Sequence, residues 1–148
     1  MSATVHIRGE GFELVLHVDR YEFPAETTGP DANWVFADLE VRLRRIASFD
    51  VSRELTLRTD QLEAFRDELS ALDRQLTGEA TLSHLEDEVE VTIRLKRGKG
   101  TLSGFVEDHS CARLEFDHIA TDQSHVGQTL AEVDAVVRAF PVRGNAYE

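Results

Sequence analysis

One cysteine, one methionine and one tryptophan occur among the 148 residues, and only three prolines. A lone Cys111 cannot close an intramolecular disulfide, which excludes a disulfide-stapled secreted scaffold and favours a reducing compartment. Basic residues are also scarce: 16 Lys and Arg face 28 Asp and Glu, a formal net charge of -12. Binding to phosphate backbones and to anionic membranes rests on clustered cations, so nucleic acid and membrane are excluded as partners, and a basic protein is the natural complement. Nowhere do about 18 apolar residues run together, and the N-terminus has no apolar stretch of signal-peptide length. The expectation is a cytoplasmic protein without an export signal or membrane span.

What is present is a folding composition. The hydrophobic fraction of 41% is close to that of ordinary globular chains, so the negative charge belongs to an acidic surface and not to a disordered polymer. The length suits one domain, residues 1–148.

Alternation at period two dominates the chain. Val35, Ala37, Leu39, Val41 and Leu43 recur behind a turn marked by Gly29, Pro30, Asp31 and Asn33. Phe12, Leu14, Leu16 and Val18 share one parity, and Leu55 and Leu57 make a shorter pattern. Val89, Val91, Ile93 and Leu95 alternate with Glu88, Glu90, Thr92 and Arg94. The sequence KRGKG at 96–100 joins that strand to Leu102, Gly104 and Val106 as a hairpin. With Ala112, Leu114 and Phe116, Thr4 to Arg8 and Ala80 to His84, about seven or eight antiparallel strands are predicted.

Two segments switch to helical period. Leu62, Phe65, Leu69, Leu72 and Leu76 step by three and four, with Asp60 and Glu63 as a capping pair and Gly78 as the stop. Val126, Leu130, Val133, Val137 and Phe140 form a second stripe from about Ser124, ended by Pro141. Each apolar face must be buried, so the predicted class is α+β, with both helices on one face of an antiparallel sheet. No internal repeat or linker is legible. Ala25 to Pro30 reads as a mobile loop and Gly144 to Glu148 as a frayed tail.

Parity supplies the candidate site. If the odd residues of 35–43 face the helices, Trp34, Phe36, Asp38 and Glu40 point outward, as do Glu88 and Glu90, Phe105 and Glu107, and Arg113, Glu115 and Asp117. Aromatics to bury and acids to steer are what recognition of a basic protein requires, so Trp34, Phe36, Asp38, Glu40, Glu90, Phe105, Glu107 and Glu115 are the partner-binding candidates. Trp34 and Phe36 equally suit a second small core beneath a curled sheet.

Other constellations are weaker. His109, Cys111, His118 and His125 are legitimate zinc ligands but lack close paired spacing, so no metal or other cofactor is expected. Asp122, Ser124 and His125 name the residue types of a hydrolase triad, yet adjacent residues at a helix start diverge, and capping explains them better. Gly9-Glu10-Gly11 is a turn without the third glycine of a dinucleotide fingerprint. Lys96, Arg97 and Lys99 form a dense basic cluster at a hairpin tip, read as a solvated turn. Glu86, Asp87 and Glu88 read as surface charge in an exposed connection. No catalytic residue is assigned.

The order Tyr21-Glu22-Phe23-Pro24, Asp31-Ala32-Asn33-Trp34, a D-Q-L-E-A-F-R-D-E-L helix from Asp60 to Leu69, Asp122-Gln123-Ser124 and a closing Phe140-Pro141-Val142-Arg143-Gly144 resembles the WapI-type immunity proteins over almost the whole chain. The resemblance implies a small cytoplasmic bacterial protein that neutralises the toxic tail of a polymorphic toxin, and it brings no catalytic residue. The charge adds the expectation of a basic toxin domain, such as a nuclease. Two alternatives stand beside it: an enzyme or small-ligand protein with a pocket in a curved sheet, using His109, His118 and nearby carboxylates, and a structural subunit that self-associates as a homo-oligomer.

Overall fold

A computed structural model describes residues 3–44, 47–83, 88–108 and 112–144. His84, Glu86, Asp87, His109 and Cys111, named above for a strand end, surface charge and zinc, lie outside the described residues. Strands β1 (Ala3–Gly9), β2 (Phe12–Tyr21), β3 (Trp34–Leu43) and β4 (Ala47–Arg58) precede helix α1 (Thr59–Gln75). Strands β5 (Gly78–Ser83), β6 (Val89–Lys96), β7 (Lys99–Asp108) and β8 (Ala112–Asp122) precede helix α2 (Gln123–Ala139). The class is α+β, as the two periodicities predict.

The strands do not form one sheet. They divide into two antiparallel four-stranded meanders, β1-β2-β3-β4 and β5-β6-β7-β8. Helix α1 intervenes between β4 and β5, and alternation within a strand carries no record of which strand lies beside it. The inner parity is as read: Val35, Ala37, Leu39 and Val41 of the first sheet and Val89, Val91, Ile93 and Leu95 of the second are buried in one apolar cluster with both helices. Arg97 at φ 55° and Gly98 at φ 83° supply the two left-handed residues that a two-residue hairpin between β6 and β7 needs.

Each helix covers the exposed edge of a sheet. On α2, Glu132 accepts the His6 backbone N–H of β1 at 3.2 Å, and Thr129 donates to the His6 carbonyl at 2.7 Å. On α1, Glu68 accepts the Thr81 N–H of β5 at 3.3 Å. Edge strands otherwise present unpaired groups to other chains, so each helix shields one edge of its sheet, β1 or β5.

The two halves are one ββββα unit repeated, a correction to the sequence reading. Buried Leu62, Phe65, Leu69 and Leu72 of α1 correspond at constant spacing to Val126, Thr129, Val133 and Val136 of α2. At the C-caps, Leu76 N–H bonds the Leu72 carbonyl and Phe140 N–H bonds the Val136 carbonyl, both at 2.8 Å. Within these helices only Glu68 and Glu132, Ala71 and Ala135, and Arg74 and Arg138 are the same residue. The duplication survives as a burial pattern and an edge-capping glutamate, which residue identity does not display.

The helix ends also shift slightly. Arg58 is the N-cap of α1, with Gln61 reaching back to its N–H at 3.3 Å and Asp60 bonding its guanidinium at 2.8 Å. Leu76 itself adopts the left-handed cap at φ 61°, and Gly78 opens β5 instead of stopping the helix.

Candidate functional site

The eight candidate residues fall on two separate outer faces. Trp34, Phe36, Asp38 and Glu40 lie on β3 of the first sheet; Glu90, Phe105, Glu107 and Glu115 lie on β6, β7 and β8 of the second. Within the first group, cross-strand register sets His17 beside Asp38, Arg20 beside Phe36 and Arg58 beside Trp34. Within the second, Phe105 stands between Glu90 and Glu115, and Glu107 faces Arg113. The single continuous acidic face expected from parity is therefore split by the boundary between the sheets.

Arginines sheathe the rings on both faces. Arg58 lies 5.5 Å from the Trp34 ring, Arg20 4.8 Å from Phe36 and Arg113 3.9 Å from Phe105. All three rings are half-buried, so Trp34 is neither a core residue nor a bare one. Cation–π contact and a covered face explain how aromatics are tolerated on an otherwise polar surface.

The acids differ in how far they are neutralised. Glu40 receives two hydrogen bonds from Arg42, both 3.0 Å, which hold its carboxyl below the usual carboxylate range. Arg113 bridges Glu115 at 2.8 Å and Glu107 at 3.6 Å. Asp38 and Glu90 are exposed and have no ion-pair partner among the described residues.

A third feature was not legible from periodicity. The loop between β2 and β3, read as mobile, is strapped down by the residues after α2. The Arg143 guanidinium donates to the carbonyls of Ala32 at 2.8 Å, Pro24 at 3.1 Å and Phe23 at 3.0 Å, and it stacks 3.7 Å from the Tyr21 ring. Fully buried Asn33 pairs with the Arg143 backbone and accepts the Thr59 hydroxyl at 3.1 Å. The Tyr21 hydroxyl donates to the Pro141 carbonyl at 2.7 Å, and its ring meets Phe140 edge-on at 5.5 Å. Burial pushes the Tyr21 phenol up, partly offset by Arg143. Gly144, at φ 61°, passes so close that a Cβ there would sit 2.8 Å from the Thr27 carbonyl oxygen. Gly144 belongs to this strap, and the rest of the tail read as frayed, residues 145–148, lies outside the described residues.

The remaining constellations separate. His118 is an exposed residue beside Asp117 at 3.4 Å. Asp122 accepts the backbone N–H of His125 at 3.1 Å as the α2 cap, not the imidazole. Among the described residues no three His, Cys, Asp or Glu side chains come together to hold a metal ion. The fold does gather Arg8, Arg42, Arg44 and His125 around a shallow 280 Å³ cleft that sequence clusters did not show. Glu132 pairs with Arg8 at 3.2 Å and Glu40 with Arg42 at 3.0 Å, which neutralises much of its charge.

Among the described residues no helix is long and apolar enough to cross a membrane. No curated protein and no solved structure matches the chain. Residues 5–141 match the model of the immunity protein WapI-like family, and the chain belongs to that family.

Proposed function

We propose that this protein is a non-enzymatic cytoplasmic immunity protein, folded as one domain, that neutralises a cognate toxin by covering a basic surface, most simply that of a nuclease. The observation that carries the basic partner is the charge of -12 together with unpaired Asp38 beside the half-buried Trp34 and Phe36 on the outer face of β3. Acids arranged around rings speed capture of a cationic partner, and the rings then lose water in the complex. Glu90, Phe105, Glu107 and Glu115 offer a second surface of the same chemistry.

The test is stopped-flow association with the C-terminal domain of the toxin encoded beside this gene, inactivated for handling. Association should slow as ionic strength rises while dissociation changes less, because screening acts on the encounter. An association rate indifferent to salt would reject the acidic surface, and no complex at all would reject the immunity reading for this pair.

A further inference from the structure

We infer that Phe23, at the start of the strapped loop 22–33 where it leaves β2, is the anchor that enters a basic cleft on the toxin, an inference that rests on the immunity reading above. Among the described residues Phe23 is the exposed large hydrophobic, at 41%. Trp34, Phe36 and Phe105 each carry an arginine over the ring, whereas among the described residues no arginine lies over Phe23.

The loop is rigid where a binding loop gains most from rigidity. A partner that orders a flexible loop loses affinity to conformational entropy, and a loop held in its bound shape avoids that loss. Here the Arg143 guanidinium is given over to the carbonyls of Phe23, Pro24 and Ala32, and Glu26 N–H closes a turn on the Phe23 carbonyl at 3.1 Å. The strap holds the backbone after Phe23, and the Glu22 N–H bond to the Trp34 carbonyl holds it before.

Charge selects the occupant. Glu22 precedes Phe23 and Glu26 closes the turn on its carbonyl, and neither has an ion-pair partner among the described residues. Glu22 N–H bonds the Trp34 carbonyl at 2.9 Å, so the loop springs from the end of the sheet that carries Trp34 and Phe36. An apolar ring on a segment that also carries Glu22 and Glu26, in a chain of net charge -12, fits a cleft lined by Lys and Arg with an apolar floor, the surface of a protein that handles polyanions.

Isothermal titration with the same inactivated toxin domain tests this. Phe23→Ala should raise Kd by about 30-fold or more, the size of an interface hot spot, with the melting temperature unchanged. Glu26→Lys should slow association, while Glu79→Lys, the same charge reversal on the exposed side of β5, should alter it much less. Phe23→Ala binding within twofold of the wild type, or Glu79→Lys acting as strongly as Glu26→Lys, would overturn the anchor and leave the immunity reading standing. Failure of the wild-type chain to bind would overturn both.

Discussion

Asn33 and Arg143, 110 positions apart, pair as neighbouring strands do: Asn33 Nδ2 donates to the Arg143 carbonyl at 3.1 Å, and Asn33 Oδ1 accepts the Arg143 N–H at 2.7 Å. A side-chain amide carries both a donor and an acceptor, so one residue satisfies both backbone groups of the returning chain. Asn33→Leu keeps the size and removes both bonds as well as the one Asn33 accepts from the buried Thr59 hydroxyl. It should cost about 2–4 kcal/mol in urea unfolding, since leaving each buried group unpaired costs about 1–3 kcal/mol.

Arg143→Ala removes the guanidinium bonds and leaves the Asn33 pairing intact. Hydrogen exchange should then quicken in residues 22–33 and stay unchanged in β6 and β7, because local openings follow local contacts. Uniform exchange across the chain would show that the strap is not what orders the loop.

The Tyr21 phenol is raised above its ordinary value, with burial the larger cause and Arg143 opposing it. The unfolded chain therefore loses that proton first, and the stability it contributes is present below about pH 10 and falls as pH rises through the folded value. Alkaline spectrophotometric titration should show one tyrosine ionising late, and Tyr21→Phe should abolish that phase.

Much of this fold is legible in the chain, and the reasons are local. Val89 to Leu95 alternate because one face of β6 is buried, and Leu62 to Leu72 step by three and four because one side of α1 is. The division into two sheets is not legible, because identical alternation serves either arrangement. Neither is the repeat: Leu62 answers Val126 and Phe65 answers Thr129, equivalent in burial and different in name. The loop strap escapes for another reason. Arg143 spends its donors on carbonyls more than a hundred residues upstream, and backbone carbonyls have no sequence signature. Of the outward residues, Trp34 and Phe36 were placed by parity, but the arginines that cover them come from neighbouring strands.

Glu132 and Glu68 occupy equivalent places in the repeat, yet their substitutions should differ. Glu132 also bonds the His6 ring at 2.7 Å and Arg8 at 3.2 Å, whereas the Glu68 contact with β5 is exposed. Glu132→Ala should cost about 1–3 kcal/mol, and Glu68→Ala under about 1 kcal/mol. Paired urea titrations of the two variants decide this.

Gly104→Ala should be among the most damaging single changes in the second sheet. The new Cβ would lie 1.9 Å from the Glu90 carbonyl oxygen at a backbone φ of 152°. Overpacking and a left-handed conformation together predict a loss of about 2–4 kcal/mol, read as a lowered urea midpoint with an unchanged slope.

The covering of β1 by α2 sets an order on synthesis. Strand β1 has an edge closed by a helix made more than a hundred residues later, and the loop after β2 is clamped by residues made later still. A nascent or prematurely terminated chain therefore carries a bare ladder and a slack loop, prone to pair with other copies and poorly shaped to hold a partner. A chain cut before α2 should therefore fail to hold the loop even if its first sheet forms.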